Sequence, residues 1–270
     1  PSGTKVVLSV LLVLTILNSV TSAELELSLA DIGIYALGFF VMIGICMLLG
    51  LIMARIMRLG TNERGIAAFA VAFTNTVFVG FPVVESVFGA GGVLIATISN
   101  IPFNLFIYTL GVMLIDGSPK AMSLKSVLSP PMIATLIAIA FLLTGWELPA
   151  PVVECFSVIS AGTVPMSMLV VGASLGSVSI KESLGNWRVY VVSLVRLIIG
   201  PLAVWAVLRP FIHDEMFLGV VVILAACPVA MLATALTIRC GKDEAFASEC
   251  VFVSTVLSAV TLPLMIYLLL

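Results

Sequence analysis

The sequence predicts an all-α polytopic membrane protein built as an inverted repeat, and three observations carry that prediction. Of 270 residues, 61% are hydrophobic and only 10% charged, with a mean hydropathy of +1.29. Soluble domains are about a quarter charged. The apolar runs recur along the whole chain, and each suffices for about 30 Å of hydrocarbon. Two of them are interrupted by polar and helix-breaking residues at corresponding places.

Nine membrane segments are expected, over 5–22, 31–57, 63–88, 91–115, 125–145, 151–176, 187–210, 215–239 and 244–270. Short charged connections separate them. Lys5, Arg55, Arg58, Arg64, Lys120, Lys125, Lys181, Arg188, Arg239 and Lys242 gather at alternate ends. Glu24, Glu26, Asp31, Glu85, Glu147, Glu154, Asp214 and Glu215 mark the opposite ends, with Arg209 the exception. Basic residues stay on the cytoplasmic side, so the first residues are expected to face the cytoplasm and the C-terminus the outside.

The third segment contains Thr74, Asn75, Thr76, Gly80 and Pro82 within an apolar stretch. An unpaired backbone group in hydrocarbon costs several kcal/mol, so such a break is tolerated only where it lines a cavity or is buried in protein. The eighth segment carries the matching interruption at Cys227 and Pro228. Aligning 73–112 with 226–264 places Phe88-Gly89 on Cys240-Gly241 and the two breaks on each other. The second half then holds five segments and the first half four, so a leading segment is expected to be absent from this chain. Five segments per half is an odd number, and the halves insert with opposite topology, as in secondary transporters. Each break lies about a dozen residues from a membrane face, near the midplane at 1.5 Å per residue. If the breaks cross, two half-helix N-termini converge, each with about +0.5 charge and free N–H groups. The facing C-termini offer carbonyls to a cation. Two simple kinks are the plainer alternative.

Other polar residues have two readings each. Asn100 and Asn104 share a helix face, with Pro102 between them and Tyr108 one turn on; they line a pathway or bond neighbouring helices. Asn18 and Thr15 in the first segment and Ser167 in the sixth, near Pro165, line the cavity or pack between helices. Arg196 is about 13 Å into its segment; it adds positive potential for an anion, or pairs with carbonyls. Glu249, inside the last segment, is a candidate proton or cation partner. Cys46, Cys155, Cys227, Cys240 and Cys250 show no metal-ligand spacing and read as small hydrophobes. The single His213 lies in a charged loop. No metal site and no cofactor are expected. The chain has no His-Glu-x-x-His, Gly-x-Ser-x-Gly or P-loop, which argues against an enzyme, and no nucleic-acid partner is expected.

The run from Phe73 to Pro82 resembles the Asn-Thr-x-x-x-Gly-x-Pro signature of the auxin efflux carrier family, which includes plant PIN proteins and bacterial malonate-type carriers. The run from Thr163 to Gly176 is similar to that family's seventh helix, and Ala226 to Val229 to its ninth-helix crossover. The resemblance implies a ten-helix, 5+5 fold of the NhaA and bile-acid-symporter type, here 4+5. It implies a scaffold of 1–22 and 125–176, and a moving unit of 31–115 and 187–270. The broken helices are 63–88 and 215–239. Asn75 and Pro228 would sit at the crossover, with Thr76, Gly80 and Pro82 shaping the outer half-helix. Two departures are visible: Thr74 stands where plant members carry proline, and Val13 where many members have one.

The expected function is an elevator-type secondary carrier of small organic anions, carboxylates such as malonate. The expected setting is a bacterial cytoplasmic membrane. A coupling H⁺ or Na⁺ and a homodimer through the scaffold are further expectations. The alternatives are a Na⁺-coupled symporter of bile-acid type and a non-transporting membrane sensor.

Overall fold

The computed structural model describes residues 10–22, 28–118, 130–145, 148–175 and 185–270. The expected charge markers Lys5, Glu24, Glu26, Lys120, Lys125, Glu147 and Lys181 lie outside them. The described regular structure is helical, apart from one isolated antiparallel bridge between Thr74 and Val229.

The helices are α1 (Leu12–Ser22), α2 (Leu29–Ile56), α3 (Thr61–Ala72), α4 (Thr76–Asp116), α5 (Pro130–Thr144), α6 (Ala150–Ser160), α7 (Thr163–Leu175), α8 (Trp187–Leu208), α9 (Glu215–Ala226), α10 (Leu232–Arg239) and α11 (Glu244–Leu269). α2, α4, α8 and α11 are long and apolar enough to cross a bilayer, as is the run Ala150–Ala173 through α6 and α7. α4 is long enough for two crossings, about 60 Å at 1.5 Å per residue. It folds back at Gly89, whose φ of +61° is the left-handed backbone that glycine adopts without a Cβ penalty. Phe73 consequently meets Phe103, with ring centroids 6.0 Å apart. The expected third and fourth segments are therefore α3 with 76–88, and 90–116. Gly241, aligned with Gly89 in the repeat, has φ +62° and ends α10 in the same way.

The caps follow local chemistry. Ser28 and Asp31 form a reciprocal capping box at α2. Asp214 and Asp243 accept the Phe217 and Phe246 N–H groups at the starts of α9 and α11. Tyr35 donates to Asp214 at 2.9 Å, joining α2 to α9 at the end expected to be outside. At the other end Arg188 pairs with Glu63 at 2.7 Å, joining α8 to α3. Hydrophobic burial drives little helix association within lipid, so close packing at small residues carries more of it. At Gly65 a Cβ would strike the Leu114 carbonyl, so α3 and the return arm of α4 pack backbone to backbone.

The two breaks pair through their backbones. The Asn75 N–H donates to the Pro228 carbonyl at 2.8 Å, and the Ala230 N–H to the Phe73 carbonyl at 3.0 Å. The Val229 N–H donates to Ser254 Oγ of α11 at 3.1 Å. Gly80 lets the outer half-helix approach α9, because a Cβ there would stand 2.6 Å from Leu224 Cδ2. The expected sixth segment is α6 with α7, joined across the turn Ala161–Gly162, and Pro165 sits exposed in the first turn of α7. Pro tolerates that position because a first-turn N–H has no intrahelical partner.

Two stability predictions follow from these contacts. Gly65→Ala forces α3 from α4, and a thermal melt of the purified protein should show a loss of about 2 kcal/mol. Ser254→Ala orphans the buried Val229 N–H, at a cost of about 1–3 kcal/mol. Ser258→Ala, whose hydroxyl bonds, among the described residues, only the Thr255 carbonyl of its own helix, should melt close to wild type.

Candidate substrate site

The crossing divides its surroundings by polarity. On one side the chain leaves the breaks into two new helices. The outer half of α4 begins at Thr76, and Asn75 Oδ1 caps it by accepting the Phe78 N–H at 3.3 Å. α10 begins at Leu232, and no side chain caps it. Both N-termini therefore border one space with positive dipole ends and N–H groups.

That space is a cavity of about 320 Å³, within the range of small-molecule sites. Thr74, Asn75 and Thr76 line its polar end. Phe78, Phe103, Ile107, Tyr108 and Met231 give it apolar walls. Pro130 and Pro131, at the start of α5, close the side toward the expected scaffold. Three side-chain atoms at the polar end are buried without a partner: Thr74 Oγ1, Asn75 Nδ2 and Thr76 Oγ1. Buried polar atoms are ordinarily hydrogen-bonded, so three orphans on consecutive residues leave hydrogen-bonding capacity unused at this end of the cavity.

The structure separates the residues expected at the site. Thr74, Asn75, Thr76 and Asn104 line the cavity; Cys227, Pro228, Asn18 and Ser167 do not. Pro228 contributes its carbonyl to the crossing. Cys227 is fully buried, its thiol donating to the Ile223 carbonyl at 3.3 Å. Ser167 is buried in α7 with its hydroxyl unpartnered. Thr15 of α1 meets Thr163 of α7, oxygen to oxygen, at 2.7 Å, which is helix packing. The side chain of Asn100 lies outside the described residues. Pro82 and Gly80 fall beyond the break itself, in and just after a wide π-helical turn over Thr76–Gly80.

Arg196 faces away from the cavity and binds backbone carbonyls of α3 and α9 on the opposite side of the crossing. Of its two expected readings, pairing with carbonyls is the one its hydrogen bonds show. Glu249 accepts from Asn186 Nδ2 at 2.8 Å, at the start of α8, and is not part of the cavity. Sequence reasoning missed Pro130, Pro131 and Met231. Their places depend on how α5 and α10 pack, and no local motif announces that. Among the described residues no cluster of His, Cys, Asp or Glu is placed to hold a metal ion.

Comparison with known proteins agrees with this architecture. An uncharacterized transporter of Methanothermobacter thermautotrophicus is 31% identical over 231 residues, covering 82% of this chain and 75% of the relative. An uncharacterized transporter of Methanocaldococcus jannaschii is 24% identical over 259 residues, covering 93% and 82%. The family model described as membrane transport protein matches residues 4–125 and 118–266. The chain therefore belongs to this membrane transport protein family, that of the auxin efflux carriers, and is an integral multi-pass membrane protein.

Proposed function

We propose that this transporter is a secondary carrier of small organic anions, with a carboxylate held at the polar end of the crossing cavity. The observation that carries the reading is the set of orphaned donors on Thr74, Asn75 and Thr76, beside two helix N-termini. A carboxylate presents two oxygens with about four acceptor sites, enough to satisfy the three side chains and a backbone N–H. The apolar walls suit the organic remainder of the guest. Short dicarboxylates such as malonate and monocarboxylates with an apolar body are both candidate cargoes.

An elevator motion fits the lining. Most cavity residues belong to α4 and to 230–235, and Pro130 and Pro131 belong to α5. If α1 and α5–α7 form a fixed scaffold, shared across a dimer, sliding of the remaining helices past them would carry the cavity between the two faces. An inside-negative potential favours export of an anion by about 2.3 kcal/mol per charge per 100 mV.

The test exploits the double duty of Asn75. Asn75→Asp keeps an oxygen for the Phe78 N–H, since Asp caps helices as well as Asn. It also exchanges the Nδ2 donor for negative charge facing the guest. In proteoliposomes loaded with labelled malonate or labelled benzoate, wild type should show saturable flux of at least one. Asn75→Asp should abolish that flux, with a cooperative melt showing that the variant still folds. Asn75→Ala should lose about 10- to 100-fold, the loss of one charge-assisted hydrogen bond. Equal flux in wild type and Asn75→Asp would remove Asn75 from the site.

A further inference from the structure

Behind the crossing, opposite the cavity, α3 and α9 end with their C-termini facing one another. The Arg196 guanidinium, buried completely, fills the space between them. Nη1 donates to the Val71 carbonyl of α3 at 2.7 Å. Nε donates to the Cys227 carbonyl at 2.9 Å, and Nη2 to the carbonyls of Ala225 at 2.7 Å and Leu224 at 3.4 Å. Among the described residues no carboxylate pairs with it. These acceptors are the otherwise unsatisfied last carbonyls of two half-helices from opposite repeats, and the Cys46 thiol of α2 lies beside the same guanidinium.

We infer that Arg196 takes the place of a coupling cation, supplying from the chain the positive charge that the paired half-helix C-termini would otherwise draw from solution. The inference rests on the carrier reading above. Each C-terminus carries about half a negative charge, so two together balance one guanidinium. Carriers with broken helices use such carbonyl ends to coordinate Na⁺ or H⁺. Here the ligands are consumed by a tethered cation that does not lose its proton at physiological pH. The site therefore has the same charge in every state of the cycle, and no ion enters or leaves it. Arg196 is a positioning residue: it locks α3 to α9 and so holds the two N-termini on the cavity side in register.

The experiment compares wild type, Arg196→Lys and Arg196→Ala by thermal melting, in Na⁺ and in N-methylglucamine buffers of equal ionic strength. Wild type should show no saturable response to Na⁺. Arg196→Ala should melt about 10 °C lower and recover partly with millimolar guanidinium or Na⁺, which a merely packed side chain would not explain. Arg196→Lys keeps a cation and should be intermediate and indifferent to Na⁺. Saturable Na⁺ stabilisation of wild type, or an Arg196→Ala protein that no cation restores, overturns the inference. If Arg196→Ala does not fold, wild type and Arg196→Lys decide: indifference of both to Na⁺ supports it, and a saturable response in either overturns it. Melting requires no transport, so a failure of the carboxylate reading in the flux assay is seen separately.

Discussion

The structure depends on one exchange of hydrogen bonds. Two helices stop in mid-membrane, where each free backbone group would cost several kcal/mol. They stop at the same place, and each satisfies the other. Phe73 and Ala230 share one bond, and Asn75 and Pro228 share the next. Neither break is tolerable alone. Ser254 reaches from α11 to take the Val229 N–H, so the crossing is tied to a third helix. The close approaches at Gly65 and Gly80 bring the rods near enough for this pairing.

The pairing sorts charge without an acidic or basic side chain among the described residues that line the cavity. Helix starts gather on one face of the crossing and helix ends on the other. On the face of the starts, the dipoles and the orphaned donors of Thr74, Asn75 and Thr76 favour an anion. On the face of the ends, the carbonyls favour a cation, and Arg196 occupies that place. A buried guanidinium is costly unless every donor has an acceptor. Four carbonyls at the ends of two helices accept from four of its five N–H groups here. The same geometry thus creates a positive locus at the cavity and a negative one that Arg196 neutralises.

Much of this was legible in the sequence because its physics is local. Asn75 with Gly80 and Pro82, and Cys227 with Pro228, are unusual in hydrocarbon, and their equal spacing from Gly89 and Gly241 exposed the repeat. The positive φ at both glycines shows that the repeat extends to backbone conformation. What stayed hidden depends on rotation and packing. A helical pattern cannot tell which way Arg196 points, because both faces of α8 are buried in part. Asn18 and Ser167 are polar and suitably placed along the sequence, yet neither is among the residues that line the cavity. Pro130 and Pro131 look like an ordinary helix start, and only the placement of α5 makes them a wall.

Thr74 is the instructive departure from the plant members, where proline stands at this position. Proline lacks an N–H, and its loss is expected to soften or sharpen a break only if that N–H is used. The crossing does not use it. The donors are the N–H groups of Asn75 and Ala230, and the acceptors are the carbonyls of Phe73 and Pro228. Thr74 and Val229 face one another as the central bridge pair and give neither donor nor acceptor to it. Threonine can therefore replace proline without changing the pairing. Its effect falls on the cavity, where it adds a hydroxyl to the polar end beside Asn75.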